Sequence, residues 1–332
     1  MRVKRSVAGK LYLSGAFLLA GTSVVAAKHV AQQLGVFTIA AASLVFALAL
    51  LTPLCGRKRM KTLRNVSRNL LRRVFLQALF GIFLFRMFLL MGLSATSSAE
   101  AGILTGATPA ITAFLAWAFL RERASRFTLA GMLLTVTGVL CIQGAFDAGA
   151  ALDARHIAGN LLVLCAAASE STFNILSRSM AVATETSDAP MDALAQTTLV
   201  VCIALGLCLI PAAFENPLAR LSTIGAEGWL ALVWYGAGVT ALAFLCWYAG
   251  IRRSSAFTAA AFSGLMPLSA MALSTLLLGE RLRMSQWIGG GLVIAAMALI
   301  GVTGAERRRG GVARADRRKG AEPSATIDPT EL

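Results

Sequence analysis

Residues 107–131 read ATPAITAFLAWAFLRERASRFTLAG, and residues 264–290 read GLMPLSAMALSTLLLGERLRMSQWIGG. Each is an apolar run that carries a proline, closes on a Glu-Arg pair and reopens into an apolar run containing glycine. Sliding the chain by 158 residues without a gap lays Gly106 on Gly264, Pro109 on Pro267, Glu122 and Arg123 on Glu280 and Arg281, and Gly131 on Gly289. Upstream, the same register pairs Gly92 with Gly250 and Ser97 with Ser255. Shared hydrophobicity would match only Leu, Ala and Val, so coincident Gly, Pro and charged positions mark an internal repeat.

Working outward, the chain is 57% hydrophobic and 14% charged, with a mean hydropathy of +0.71. That is more apolar surface than one soluble core of this length hides. Runs of about 20 apolar residues suit helices crossing a hydrocarbon layer of roughly 30 Å. They are continuous rather than alternating, which excludes a β-barrel. The sequence predicts an all-α polytopic membrane protein with ten transmembrane helices near 11–31, 35–54, 74–94, 97–119, 127–144, 157–178, 193–213, 228–250, 256–278 and 285–304. The expected organisation is a cytoplasmic segment 1–10, a first five-helix repeat 11–144, a linker 145–156, a second repeat 157–304 and a disordered cytoplasmic tail 305–332. Five spans is an odd number, so the second repeat enters the membrane from the opposite side and the repeats are inverted around a central cavity. The opening MRVKR followed by LYLSGAFLLAGTSVVAA imitates a secretory signal, but cleavage would remove the first span of the repeat.

The net charge of +15 is topological. With the N-terminus inside, 25 Lys and Arg fall on the inner side and four on the outer side (Arg155, Arg220, Arg281 and Arg283), leaving Lys28 and Arg86 within spans. The excess predicts cytoplasmic termini in a cell inner membrane. Basic residues are not interleaved with stacking aromatics, so no nucleic-acid partner is expected; the expected partners are the lipid bilayer and a small-molecule substrate. The six cysteines show no C-x-x-C spacing and read as packing residues. With only two histidines, no H-E-x-x-H and no phosphate loop, no metal, cofactor or catalytic residue is expected. A lipid-directed membrane enzyme is the alternative of another class, and no charged ring or filter loop suggests a channel.

The two quoted stretches, together with WYAGIRRSSAFTAA at 247–260, resemble the EamA-type modules of the drug/metabolite transporter superfamily. The resemblance covers residues 11–304 and is stronger in the second half. The sequence departs from the pattern at AGTSVVAAK, where such proteins often carry a Trp-Gly pair, and at Glu170, where a Trp is common. The resemblance implies ten helices around a central cavity, the last of each half peripheral, and secondary transport of a small organic metabolite or drug. Export is the first expectation and uptake of an amino acid or an S-adenosylmethionine-like metabolite the second. It names no substrate.

Several residues are candidates for chemistry. Pro109 and Pro267 each remove a mid-helix hydrogen bond, kinking the helix or freeing a carbonyl toward a cavity. Glu170 lies near mid-membrane, where a lipid-facing carboxylate costs about 2.5–3.5 kcal/mol; it is expected to face the interior and to bind a substrate amine or carry a coupling proton, unless it is a paired structural carboxyl. Asn174 shares its face at i+4. Arg86, the other deep charge, pairs with Glu170 or awaits a carboxylate or phosphate on the substrate. Lys28 and Glu100 lie toward the outer helix ends and form an outer gate or reach water separately. Glu122, Arg123, Glu280 and Arg281 read as turn closures. Tyr235 and Tyr248 stack on a bound ring or pack the core. Small residues such as Gly131 with Gly138 and Gly291 with Ala295 permit close helix approach, including a possible homodimer.

Overall fold

The structure, a computed structural model, describes residues 2–31, 33–64, 67–120, 126–142, 153–185, 193–251, 262 and 265–299. Among them there are helices and turns and no strand. In chain order they are α1 (Arg2–Ala31), α2 (Val36–Arg64), α3 (Arg68–Ala78), a π-helical segment (Leu79–Leu84), α4 (Phe85–Leu93), α5 (Ser98–Thr105) and α6 (Thr108–Leu120). There follow α7 (Arg126–Ile142), α8 (Ala154–Glu185), α9 (Ala193–Ala213), the short α10 (Pro217–Leu221) and α11 (Ala226–Val233). A second π-helical segment (Trp234–Leu242), α12 (Ala243–Ile251), α13 (Leu265–Leu278) and α14 (Met284–Leu299) complete the set.

Among the described residues, five stretches are long and apolar enough to cross a membrane: Val7–Ala31, Val36–Gly56, Arg68–Leu93, Leu194–Ala213 and Ala226–Gly250. Arg126–Ile142, Leu265–Leu278 and Met284–Leu299 are shorter apolar helices. Leu133, Ile210, Leu230 and Leu276 are exposed, a surface suited to hydrocarbon rather than water. Inside, one core joins Val24, Leu89, Leu104, Tyr235, Ala270 and Val293. A second joins Leu44, Ile82, Met180, Val200 and Ala241.

Local chemistry sets where helices bend. The segment 55–73, between the spans expected at 35–54 and 74–94, is largely helical among its described residues: α2 bends at Gly56, whose φ of 66° is open to glycine, and α3 starts where the Ser67 hydroxyl accepts the Leu70 N–H. The span expected at 97–119 is instead two helices, α5 and α6, interrupted at Gly106 and Ala107. The two π-helical segments follow α3 and α11, and the Thr240 hydroxyl bonds the Tyr235 carbonyl five residues back. Shifted by 158 residues, the first π segment falls on 237–242, inside the second.

In packing, α1 lies against α12 and α13, α8 against α4 and α6, α2 against α9, and α5 against α13. The bundle therefore places the α5–α6 interruption beside α8, which carries Glu170.

Candidate functional site

The interruption between α5 and α6 is built by Pro109. Lacking an N–H, it leaves the Thr105 carbonyl without its amide partner. The Thr108 hydroxyl supplies one instead, at 2.8 Å. That hydroxyl also lies 2.9 Å from Glu170 Oε2. From α8, the Ser171 hydroxyl lies 2.9 Å from the Thr108 carbonyl and 2.8 Å from the Ala167 carbonyl of its own helix, so its one hydrogen is shared between α8 and the first turn of α6. Thr108 and Ser171 are buried.

A hydroxyl carries one hydrogen, so both Thr108 contacts cannot be donated by it together. With the hydroxyl turned to the Thr105 carbonyl, the hydrogen in the Glu170 contact comes from a protonated carboxyl. With Glu170 ionised, the hydroxyl turns to the carboxylate and the carbonyl freed by Pro109 loses its partner. The protonation of Glu170 is thus tied to the hydrogen bonding of a broken helix. Asn174 is half-buried one turn along α8. Pro267 is buried in the first turn of α13, and its preceding Gly264 lies outside the described residues.

Arg86, only 4% exposed, does not meet Glu170 in an ion pair among the described residues. Its guanidinium donates to the Ser43 hydroxyl at 2.6 Å, the Ala40 carbonyl at 3.3 Å and the Thr240 hydroxyl, and lies 4.3 Å above the Tyr235 ring. Arg86 therefore follows one π segment and holds residues of the other. The Tyr235 hydroxyl is buried and has no hydrogen-bond partner among the described residues. Tyr248, also buried, stands next to Phe244 (6.4 Å between ring centroids), which in turn meets Phe173 of α8 at 6.0 Å.

A separate polar belt gathers at one face of the bundle. Glu100, 1% exposed, takes the Thr96 hydroxyl at 2.7 Å and the Gln286 amide, with His156 Nε2 at 2.9 Å and Arg283 at 3.7 Å. Lys28 is not on Glu100: it donates to the Leu93 and Thr96 carbonyls at 2.7 and 2.8 Å, so Thr96 links the two gate candidates. Glu280 accepts the Ser98 and Ala99 N–H groups, each at 2.9 Å, satisfying amide donors that open α5. Glu215 does the same for α2 through Phe37 and Thr38, and a Cβ at Gly35 would overlap its carboxylate. Glu122 and Arg123 lie outside the described residues, and Arg281 is exposed.

A recess of about 320 Å³ opens beside this face, lined among others by Ala31, Val36, Leu90, Ala95, Arg155 and Leu162. Neither Glu170 nor Arg86 borders it. Thr108, His156, Gln286 and Arg283 were not singled out from sequence. Thr108 had a signal, as the hydroxyl residue directly before the proline. His156 had none, because its partner is 56 positions away.

No metal-sized cluster of His, Cys, Asp and Glu occurs among the described residues. Set beside known proteins, residues 7–143 and 157–302 match the EamA-like transporter family. An uncharacterized transporter of Bacillus subtilis, YetK, is 30% identical over 298 residues, 89% of this chain and 87% of its own. The aromatic amino acid exporter YddG of Ancylobacter novellus is 27% identical over 218 residues, 65% of this chain and 70% of its own. A solved crystal structure superposes with a TM-score of 0.58 at 21% identity, covering 93% of this chain and 99% of the other. That last likeness is one of fold.

Proposed function

The chain belongs to the EamA-like transporter family of the drug/metabolite transporter superfamily, and from that premise we propose that it exports a small organic metabolite or drug by alternating access, with Glu170 carrying the coupling proton. It is a multi-pass membrane transporter; direction, mechanism and solute are our reading. The observation that carries it is the shared hydrogen at Thr108, which Glu170 and the carbonyl freed by Pro109 compete for. Loading or unloading a proton at Glu170 changes how α6 joins α5, and a broken helix beside the repeat interface is where transporters of this build place their solute and coupling sites.

Ten membrane helices in two inverted five-helix repeats remain the architecture we propose. Two features support it. The π segments coincide in the 158-residue register, and the contacts exchange: α1 packs on α12 and α13 as α8 packs on α4 and α6. The excess of Lys and Arg supports cytoplasmic termini in the inner membrane, with the polar belt on the outer face.

A substrate with a carboxylate is the second reading, favoured by Arg86. A buried guanidinium with only neutral partners among the described residues has planar N–H groups that suit a carboxylate, and the exporter YddG handles aromatic amino acids by name.

The test is transport in proteoliposomes with an imposed pH gradient, following a mixture of metabolites and aromatic amino acids by mass spectrometry. Wild type is expected to move at least one unmodified solute with a rate that follows the gradient. Glu170→Gln is expected to abolish gradient-driven accumulation while keeping insertion. Unchanged pH dependence in that variant removes Glu170 from coupling, and a chemically altered product removes the transporter reading.

A further inference from the structure

The two histidines of the chain, His29 and His156, both sit in the belt at one face, and each meets a glutamate from the other half. His156 of α8 reaches Glu100 of α5 at 2.9 Å. His29 of α1 reaches Glu227 of α11 at 3.5 Å. Lys28 and His29 are neighbours in sequence, and Lys28 is tied through Thr96 to Glu100, so the two pairs belong to one continuous belt. Most of its links between halves end on a carboxylate: Glu280 on the amides of α5, Glu215 on those of α2, and Glu100 under Gln286, Arg283 and His156.

The pairs differ in weight. Glu227 is 87% exposed and His29 39%, and exposed ion pairs contribute little. Glu100 is 1% exposed, so its bond to His156 is the one on which charge tells. At 2.9 Å from a carboxylate oxygen, Nε2 carries the hydrogen. Asn160 Nδ2 stands 3.3 Å from the same nitrogen, which it reaches as a donor only when Nε2 is bare. The charged groups around this pair are Arg283 on Glu100, Glu280 and Lys28 across the α5 entrance, and Arg155 next in sequence. Lys, Arg and ordinary carboxylates keep their charge between about pH 5.5 and 7.5, whereas an ordinary imidazole titrates there.

We propose that this belt is the closed gate of one face and that His156 is its proton-sensitive latch: a charged imidazole locks Glu100 across the halves, and a neutral one loosens it. The gate rests on the transporter reading; the latch rests on the geometry alone. With the belt outward, as the Lys and Arg distribution supports, acid outside holds the outer mouth shut. The sign follows from the charge: the lock is present while the imidazole holds its second proton and is lost when rising pH removes it.

Amide hydrogen exchange on the purified full chain in nanodiscs, without solute or gradient, tests this. After correction for intrinsic rates, peptides covering 98–105 and 279–286 are expected to exchange about tenfold more slowly near pH 5.5 than near pH 7.5, the gain when a neutral hydrogen bond becomes charge-assisted. His156→Gln is expected to erase the difference, and His156→Arg to be protected at both values. Should His156→Gln not fold, Glu100→Gln replaces it, with the same loss expected. A pH-independent wild type, or a His156→Gln variant that keeps the full difference, overturns the latch. An intact exchange difference in a chain that moves no solute sinks the transporter reading and with it the gate, while transport with pH-independent exchange sinks the latch alone.

Discussion

At the scale of residues, the site is governed by hydrogen accounting more than by charge. Thr108 stands between two acceptors and has one hydrogen to give. Thr108→Val keeps the shape and removes that hydrogen, leaving the Thr105 carbonyl and Glu170 without it. Leaving buried polar groups unpaired costs about 1–3 kcal/mol, so the variant is expected to unfold at lower temperature and its transport to lose dependence on pH. Thermal denaturation and vesicle assays read the two effects separately; a variant of unchanged stability and pH profile would show the hydroxyl to be a bystander. Glu170 was legible in the sequence, because a carboxylate in a long apolar run demands an interior partner. Thr108 as that partner was not, since no local rule says which hydroxyl of another helix it meets. Arg86 was legible as a deep charge, yet its hold on Ser43, Thr240 and the Tyr235 ring depends on packing alone.

Among the elements, close backbone approach decides what is tolerated. Gly236, in the second π segment, lies so near α2 that a Cβ would overlap the Ser43 carbonyl oxygen. That atom belongs to backbone and has little room to move. Gly236→Ala is expected to destabilise the protein by about 1–3 kcal/mol through overpacking and to disturb Arg86 through Ser43. Gly206→Ala on α9 meets nothing within 4 Å and is the control, expected to be neutral or slightly stabilising through helix propensity. Parallel melting curves check the pair; equal shifts would refute the packing argument. The sequence displayed the proline of the interrupted span but not that α5 and α6 would be separate helices. The π segments left no trace there either, because one surplus residue per turn does not disturb apolar periodicity enough to be seen.

For the whole molecule, the 158-residue register did most to order the sequence, since it matched residues that hydrophobicity does not select. The proposed inverted arrangement is testable by labelling. Single cysteines at 57 and at 155, in a background without the native six, are expected to react with an impermeant maleimide from opposite sides of sealed right-side-out vesicles, Arg155→Cys from outside and Arg57→Cys only after permeabilisation. The same result at both sites would contradict the topology. The belt was out of reach of the sequence for a reason of scale: it joins the ends of many helices, and no pairwise spacing announces such a gathering. The two π segments also bear on how such a body could move. Each holds one residue more than its screw requires, with carbonyls bonded five residues on rather than four. Slack of that kind can travel along a helix, exchanging one set of bonds for another while the part beyond it turns by about 100° per residue passed. In mechanical terms the chain holds two points of slack at overlapping positions of the 158-residue register, with Arg86 pinned across them through Thr240 and Tyr235.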